Sequence, residues 1–253
     1  MNVFEKKRES YYEEMKLPWT RLFYEEAKLQ LAMHLPERPG QALVVGCGFG
    51  LIDRWLAKRG WQVTGVDVTP GYLELARQAA ADEGLAIEYQ RMDAAADDWS
   101  ALGGPYDLVV CHNVLDFLQE LEATIARIAD HTNSSGLVSI IHHNSKAKPI
   151  KTLMMQNDPE LALEQLSQTQ FYVQTFETYS NMIQPETVSA CLQEAGCEVA
   201  GHYGIRTLYD YVSNEQKFEP AWHAQMLELE KAVWDKHPYR DIAAFFHFIA
   251  CKH

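Results

Sequence analysis

The feature that most constrains the fold is a short apolar run that ends in three closely spaced glycines. Residues 43–50 read LVVGCGFG, with the glycines at positions 46, 48 and 50. A buried strand followed by glycines lets the backbone turn sharply and approach a ligand, because a Cβ atom would hinder both the positive φ angles and the close contact. The sequence therefore predicts a strand that runs into a ligand-binding loop.

An acidic residue follows this loop at a spacing that indicates the ligand. Asp67 ends a second apolar run, residues 61–67, and lies seventeen residues after the last glycine. We expect its carboxylate at the carboxyl end of the neighbouring parallel strand, where it can accept hydrogen bonds from both hydroxyls of a ribose. For the glycines alone, a tight strand-to-helix turn without a ligand is an equal alternative. The acidic residue favours a cofactor that carries adenosine.

Glycine spacing distinguishes two classes of adenosine cofactor. The nicotinamide pattern GxGxxG would place its third glycine at position 51, which is Leu51, whereas this chain has GxGxG. That form resembles motif I of the class I S-adenosylmethionine (SAM) methyltransferases. The resemblance implies SAM as the cofactor and S-adenosylhomocysteine (SAH) as the product. The residues that it places at the cofactor in these two motifs are Gly46, Cys47, Gly48, Gly50, Asp67 and Val68.

Two later segments fit the same family. Asp93 follows a short extended run and resembles the acidic residue that binds the adenine amino group, with Met92 beside the ring. A helix N-cap is the alternative role for this aspartate. Residues 105–116 resemble motif IV, a buried strand that reaches the cofactor at His112. One position departs from the family pattern, since Val44 stands where an acidic residue usually orients the loop and the methionine end of SAM.

Strands and helices alternate along most of the chain, which predicts an α/β fold with helices on both faces of the sheet, because each parallel connection needs a crossover. The predicted strands are 42–46, 61–67, 86–91, 106–111, 136–142, 197–206 and 244–251, and the predicted helices are 50–59, 70–83, 118–130, 185–196 and 219–236. The last two strands fit the reversed terminal hairpin of the methyltransferase sheet. We therefore predict one Rossmann-like domain, 1–253, with a seven-stranded, mostly parallel sheet and an antiparallel last strand.

Two segments lie outside this alternation. Residues 1–38 are predicted to form a cap over the cofactor, helical over 5–35 with a break at Pro18 and rich in aromatic side chains. Residues 145–184 are polar and rich in glutamine, with a predicted helix at 159–167, and they are interpreted as a lid-like insertion. Ligands of such sheets lie beyond the carboxyl ends of the strands. Both segments are therefore expected to cover the same mouth.

Composition and charge restrict the partners. The chain has 22 Lys and Arg against 35 Asp and Glu, a formal net charge of −13, which does not provide the broad basic surface of a DNA-binding protein. No segment approaches the roughly 18 uninterrupted apolar residues of a membrane span, and the amino terminus has no apolar signal segment. Five cysteines without a CxxC pair suit reduced thiols. We expect a soluble cytoplasmic protein with no membrane partner.

The carboxyl half bears a closer resemblance. Residues 204–211, 227–230 and 238–240, together with His112 and Asn144, are similar to the bacterial tRNA carboxymethoxyuridine carboxyl-methyltransferases. Members of that family carry a run of basic residues in the insertion, which suits RNA phosphates. Here residues 171–184 contain no Lys or Arg, and the basic residues nearby are Lys146, Lys148 and Lys151. A small-molecule acceptor is therefore favoured over tRNA.

The acceptor determines which side chains the chemistry needs. A carboxylate is already nucleophilic at neutral pH, whereas a hydroxyl, phenol or carbon acid needs a base. The histidines near predicted strand ends are His112, His142, His143 and His202. Arg206 and Arg240 could instead hold an anionic acceptor with two parallel hydrogen bonds, and a surface ion pair is the alternative for each. The adjacent histidines point to opposite faces of a strand, so no metal site is predicted.

These observations lead to one function and two alternatives. The predicted function is SAM-dependent methyl transfer to a small acceptor, an anion and in the first place a carboxylate. The alternatives are carboxyl methylation of tRNA wobble uridine and a SAM-binding partner or sensor without catalysis, which Val44 keeps open. Predicted catalytic residues are His112 and Arg206, and the predicted substrate-binding residues are Trp19, Arg21, Asn144, Arg206 and Tyr209.

Overall fold

A seven-stranded sheet forms the centre of the protein in the computed structural model, which describes residues 3–253. Its strands are β1 (Gln41–Val45), β2 (Gln62–Asp67), β3 (Ile87–Arg91), β4 (Tyr106–His112), β5 (Thr132–His143), β8 (Cys197–Ile205) and β9 (Phe245–Lys252). A separate hairpin consists of β6 (Gln170–Val173) and β7 (Thr178–Asn181). The order across the large sheet is β3-β2-β1-β4-β5-β9-β8.

Strand directions follow the sequence-based prediction. Strands β3, β2, β1, β4 and β5 are parallel to one another. Strand β9 lies between β5 and β8 and is antiparallel to both. The predicted seven-stranded, mostly parallel sheet with a reversed last strand is therefore confirmed. This topology brings the carboxyl ends of β1, β2, β4 and β5 to one edge, which is where ligands bind in open α/β sheets.

Helices cover both faces of the sheet. They are α1 (Val3–Lys6), α2 (Arg8–Glu14), α3 (Pro18–Ala32), α4 (Leu51–Ala57), α5 (Pro70–Asp82), α6 (Leu121–Asp130), α7 (Ala147–Gln156), α8 (Pro159–Gln165), α9 (Pro185–Glu194) and α10 (Pro220–Val233). Helices α3, α4 and α5 cover one face, and α6 and α9 cover the other. Proline at the first position begins α3, α5, α8, α9 and α10, because the missing N–H would have no helical partner there.

The amino-terminal segment divides into two parts with different surroundings. Helices α1 and α2 contribute Phe4 and Tyr11 to the cavity at the carboxyl edge of the sheet. Helix α3 instead packs its apolar side, including Ala27 and Leu31, against the sheet itself. Met1 and Asn2, which belong to the predicted cap 1–38, lie outside the described residues. Among residues 3–253, none of the helices has the length and apolar character needed to cross a bilayer.

The insertion contains more regular structure than its sequence suggested. The prediction of a helix at 159–167 matches α8, but α7 and the β6–β7 hairpin were not predicted. The hairpin strands read QFYV and TYSN, so aromatic and β-branched residues were present as a strand signal. This signal was weak, because neither strand alternates fully buried with fully exposed positions.

Candidate active site

A cavity of about 970 Å³ lies at the carboxyl edge of the sheet. The loop after β1, the end of β2, the segment after β4 and the end of β5 form its floor, while α1, α2, α7 and the β6–β7 hairpin contribute to its walls. Small-molecule sites occupy roughly 300–1,000 Å³, so this volume can hold a nucleoside cofactor and a small acceptor together.

The glycines of the loop have distinct roles. All three have positive φ angles, 68° at Gly46, 55° at Gly48 and 70° at Gly50. A Cβ atom at Gly46 would lie 2.1 Å from a methyl carbon of Val114, and one at Gly50 would lie 2.4 Å from the hydroxyl of Tyr89. A Cβ at Gly48 would meet no atom of the described residues, 3–253, within 4 Å. Gly46, Cys47 and Gly48 line the cavity, whereas Gly50 serves the packing of α4.

Asp67 lies at the end of the cavity that the sequence predicts for the cofactor, and the loop that it faces holds its carboxylate in place. Its two carboxylate oxygens accept hydrogen bonds from the backbone N–H groups of Thr69 at 2.8 Å and Gly48 at 3.0 Å. Burial raises the pKa of Asp67, and these two N–H groups oppose that rise. Each oxygen keeps a further lone pair, so the carboxylate can also accept ribose hydroxyls. Val68 and Thr69 continue the wall.

The remaining predicted cofactor residues also border the cavity. Met92 is 5% exposed, and Asp93 stands beside it with its Oδ1 accepting the N–H of Ala95 at 3.0 Å. Val44 lies against the same cavity and is 3% exposed. Adenosine needs an open glycine backbone, a carboxylate with free lone pairs and an apolar site for its ring. These residues provide all three, so they fit a SAM-type cofactor.

Aromatic residues from separate segments meet over the cofactor end. The ring of Phe176, in the turn between β6 and β7, lies 4.9 Å from Tyr11 and 5.0 Å from Phe4, centroid to centroid. Two polar contacts join the same segments, Lys7 to Glu177 at 2.5 Å and Thr175 to Glu14 at 2.6 Å. The amino-terminal helices and the hairpin therefore cover the cavity as connected layers.

His112 lines the cavity but belongs to a buried chain of hydrogen bonds. The amide nitrogen of Gln30 donates to the carbonyl of Gly204 at 2.8 Å, so its Oε1 accepts from Nδ1 of His247 at 2.9 Å. Nε2 of His247 then accepts the hydroxyl of Ser139 at 2.8 Å, and that oxygen accepts Nε2–H of His112 at 2.8 Å. Burial lowers the pKa of His112 to about 3. A weakly basic imidazole with an inaccessible Nδ1 argues for a structural role and against catalysis by His112.

The other strand-end histidines differ in their access to the cavity. His142 is fully buried, its ring centroid lies 3.5 Å from that of Phe246, and burial lowers its pKa to about 4. His202 stacks on Phe248 at 4.2 Å, and burial lowers its pKa to about 4 as well. His143 lines the cavity, and its Nδ1 lies 3.2 Å from the buried carboxylate of Asp116.

Positive side chains gather at the opposite end of the cavity from Asp67. Arg206, whose φ is 55°, donates through Nε and Nη2 to both oxygens of Asp210, at 2.7 and 2.5 Å. Lys151 donates to the same carboxylate at 2.6 Å. Burial alone would raise the pKa of Asp210, but the Arg206 guanidinium holds it well below its ordinary value. Lys148 and Lys217 complete a set that we name the cationic cluster, Lys148, Lys151, Arg206 and Lys217.

Some predicted substrate residues face elsewhere. Trp19 lines the cavity, but Arg21 is 64% exposed and donates to Glu25, because α3 turns that side outward. Tyr209 is fully buried among Leu22, Met226 and their neighbours, since the segment after Arg206 turns back toward α10. Neither side chain borders the cavity, in contrast to the contact with substrate that the sequence predicts.

Asn144 and Arg240 also have structural partners. The Asn144 amide donates to the carbonyls of Asp241 and Ala243 at 2.9 Å each, and its Oδ1 accepts the N–H of Lys146 at 3.1 Å. These bonds tie β5 to the segment before β9 and leave the amide no free donor. Arg240 donates to the carbonyl of His202 at 3.5 Å and does not border the cavity. In residues 3–253, no three His, Cys, Asp or Glu side chains are grouped so that they could hold a metal ion.

Comparison with known proteins identifies the family. The profile of the family described as a methyltransferase domain matches residues 42–136, from β1 into β5, which contain the glycine loop, Asp67, Asp93 and His112. The chain contains a methyltransferase domain of the class I SAM-dependent type. SAM is the cofactor of this methyltransferase, and its fold is the Rossmann-like one that the sequence predicts.

Relatives of the methyltransferase act on different kinds of molecule. It is 25% identical over 214 residues to the tRNA 5-carboxymethoxyuridine methyltransferase of Escherichia coli K12, which covers 84% of this chain and 80% of that protein. It is 26% identical over 179 residues to the ubiquinone biosynthesis O-methyltransferase of Rickettsia canadensis, covering 70% of each. The magnesium protoporphyrin IX methyltransferase of Synechocystis with bound SAH superposes with a TM-score of 0.59 at 16% identity, over 92% of this chain and 83% of that one.

Two side chains of the cavity region were not predicted from the sequence. Lys217 lies in a short turn, residues 215–218, with no motif around it, so nothing in the sequence indicated its position. Asp116 follows the motif IV strand by a few residues, at the edge where β5 ends beside β4. An acidic residue there could have been paired with His143 from the expected strand order, because neighbouring parallel strands end together.

Proposed function

We propose that this methyltransferase transfers the methyl group of SAM to a small anionic molecule that the cationic cluster holds inside the cavity. The observation that carries the proposal is the charge at that end of the cavity. The four side chains of the cationic cluster share this part of the cavity lining with one carboxylate, that of Asp210, which accepts hydrogen bonds from Lys151 and Arg206. The formal excess of positive charge suits a carboxylate or a similar group on the acceptor.

Lys217 is the strongest single support for an anionic ligand. The residue is 4% exposed, and its ammonium donates to the side-chain oxygen of Asn214 at 2.9 Å and lies 4.7 Å from the ring centroid of Tyr209. Neither partner carries a negative charge. Burial lowers the pKa of Lys217 to about 8; the Asp210 carboxylate opposes this shift, and Arg206 and Lys151 add to it. A buried cation that lacks a close counter-ion is costly, and an anionic ligand would offset that cost.

Arg206 contributes to this site in a different way from that expected from sequence. Two of its donor groups already bind Asp210, so the planar fork that was predicted to hold the acceptor is engaged. We assign it the positioning of Asp210 and Lys151, while Lys148 and Lys217 supply the positive charge that the ligand meets. Burial lowers the pKa of Lys148 to about 8, and its ammonium lies 3.7 Å from the ring centroid of Phe171.

The protein's part in the reaction is positioning and exclusion of water. SAM, when bound, supplies a methyl group on a positively charged sulfur. Asp67 and Gly48 would orient the cofactor, and the aromatic layer of Phe4, Tyr11 and Phe176 would exclude water from the cofactor end. The cationic cluster would hold the acceptor at the other end. A non-catalytic SAM sensor would have no use for that second, charged subsite, so catalysis is the favoured function.

The proposal predicts a pH-dependent affinity for anions. We expect small carboxylic acids such as benzoate to bind most tightly below about pH 8 and more weakly as the pH rises through that value, because Lys148 and Lys217 lose their charges there. Lys217→Met should weaken binding about tenfold or more. Calorimetry of benzoate in the presence of SAH, at pH 6.5 to 9.5, measures both effects, with benzamide as the uncharged ligand.

Lys231→Met is the matched control, since Lys231 lies on the exposed side of α10 and pairs with Glu228. It should leave anion affinity unchanged. If benzamide bound as tightly as benzoate, or if Lys217→Met bound benzoate normally, the anionic acceptor would be wrong.

Methylation of tRNA is the second candidate, because of the Escherichia coli relative and the lysines of α7. The net charge of −13 and the absence of Lys and Arg from 171–184 argue against it. We expect weak tRNA binding that falls steeply as salt rises, since it would rest on few phosphate contacts. Filter binding between 50 and 200 mM salt tests this, and submicromolar affinity at physiological salt would restore the tRNA function.

We also propose that the enzyme acts in the cytoplasm. All five cysteines are free thiols, as expected in a reducing compartment.

A further inference from the structure

A histidine and an aspartate form a pair beside the cationic cluster that the proposed function does not use. His143 is the last residue of β5, and Asp116 lies in the segment after the neighbouring strand β4. Nδ1 of His143 lies 3.2 Å from Oδ2 of Asp116, and the His143 backbone N–H lies 3.4 Å from the same oxygen. Asp116 is completely buried, whereas the His143 side chain is 30% exposed and lines the cavity.

The hydrogen bond determines which nitrogen of His143 carries the proton. An ionised carboxylate only accepts hydrogen bonds, so Nδ1 must be the protonated nitrogen and Nε2 must carry the lone pair. Among residues 3–253, Nε2 has no hydrogen-bond partner. The neighbouring His142 donates Nδ1–H to the backbone carbonyl of His143 at 3.0 Å and so restrains the same chain segment. The contact with Asp116 thus orients the imidazole through Nδ1, and the basic Nε2 is left available.

Aromatic rings connect this imidazole to the cationic cluster. The His143 ring lies 4.5 Å from that of Phe245 and 5.1 Å from that of Phe171, centroid to centroid. The Arg206 guanidinium lies 5.2 Å from the Phe245 centroid, and Lys148 contacts Phe171. Each ring that flanks the imidazole thus also meets a cation. A ligand with its anionic group on the cluster would lie between flat apolar walls with a second group near His143.

From this geometry we infer that His143 is a general base that removes a proton from a phenolic hydroxyl of the acceptor, with Asp116 as its positioning residue. The inference rests on the proposed function, and it names the acceptor class as a phenolic acid. The aromatic walls suit a flat ring. A phenol, with a pKa of about 10 as in tyrosine, transfers its proton to an imidazole far more readily than an aliphatic alcohol does.

The proton and electron count is balanced without another reactant. The O–H proton moves to Nε2 of His143, the phenolic oxygen forms a bond to the methyl carbon, and the electron pair of the broken carbon–sulfur bond remains on the sulfur. The imidazolium then returns its proton to water. The anionic group on the cationic cluster takes no part in these bonds and serves as the handle that places the hydroxyl.

Activity and product identity test the inference. With SAM and 3,4-dihydroxybenzoate we expect a ring methyl ether by mass spectrometry, and no methylation of benzoate. His143→Ala should lower kcat by about 100-fold or more while KM and SAH affinity change little. The charged and titratable groups around His143 are Asp116, His142, Lys148 and Arg206. The acid limb of the wild-type pH profile should disappear or shift in Asp116→Asn, since the amide can donate to Nδ1 and reverse the tautomer.

A spectroscopic measurement tests the pair without turnover. Nitrogen-15 NMR of histidine-labelled protein, without cofactor, should show His143 with a protonated Nδ1, and Asp116→Asn should change that signal. A protonated Nε2 in the wild type would overturn the inference even if the variants failed to fold.

The two proposals fail in distinguishable ways. If benzoate binds through Lys217 and becomes a methyl ester, and His143→Ala keeps full activity, the anionic acceptor stands and the base does not. If none of the hydroxybenzoates binds and tRNA is methylated, the proposed function itself is wrong and the phenolic acid with it.

Discussion

Replacement of Asp67 by alanine is expected to weaken SAH binding by about 10- to 150-fold, which corresponds to about 1.5–3 kcal/mol of lost charge-assisted hydrogen bonding. The carboxylate lies at the cofactor end of the cavity, 9% exposed, with lone pairs that the backbone N–H groups of Gly48 and Thr69 do not occupy. The variant also removes the anchor of the glycine loop, so both effects weaken binding. Isothermal titration calorimetry with SAH measures the change.

Asp130→Ala provides the matched control, because this aspartate is exposed at the end of α6 and does not border the cavity. Thermal unfolding of both variants separates loss of the site from loss of the fold. Normal SAH affinity in Asp67→Ala, or binding of NADH in preference to SAH, would show that the cofactor contacts are assigned wrongly.

Glu230→Ala is expected to destabilise the protein by about 3 kcal/mol or more. Glu230 is completely buried, and its oxygens accept the backbone N–H groups of Thr207 at 2.7 Å, Leu208 at 2.8 Å and Tyr209 at 2.7 Å. Removing the carboxylate leaves these donors without partners, and each buried unpaired group costs about 1–3 kcal/mol. Urea unfolding followed by circular dichroism measures the free energy of unfolding.

The same substitution should weaken anion binding, because the three N–H groups belong to the segment that connects Arg206 to Asp210. Glu228→Ala is the control on the same helix, since Glu228 is 70% exposed and pairs with Lys231 at the surface. Its effect should stay within about 0.5 kcal/mol. A Glu230→Ala variant as stable as this control would contradict the assigned role of the buried carboxylate.

The sequence predicted the location of those residues whose position depends on the backbone of a strand end or turn. The glycine loop and Asp67 were placed correctly because a strand end, a turn and a parallel neighbour leave few geometries. The residues beyond the sheet were less predictable, since helix rotation and loop direction decide where a side chain points. Arg21 and Tyr209 illustrate this, because each is close in sequence to a residue that lines the cavity and yet faces away from it.

Contacts between segments that are distant in sequence also limited what could be predicted. Lys217 reaches the cationic cluster only because the chain between β8 and β9 folds back over the cavity, and a lone lysine in a turn carries no signal of that path. His143 and Asp116 were closer to prediction, since one ends β5, the other shortly follows the end of β4, and the expected sheet order brings these strand ends together. The sequence did not indicate which of the four histidines near strand ends pairs with an aspartate, because that depends on burial and on hydrogen-bond direction.

The buried hydrogen-bond network that includes His247 affects the register of β9 in the sheet. The strand begins FFHFIA, so large apolar residues occur at nearly every position, and a shift by one residue would still bury apolar side chains on both faces. Hydrophobic alternation therefore cannot select the register. The imidazole can, because only the observed pairing of His247 opposite Ile141 lets it meet both Ser139 and Gln30. A one-residue slip would leave it among apolar side chains without a partner, so one polar residue defines the alignment of an otherwise ambiguous strand.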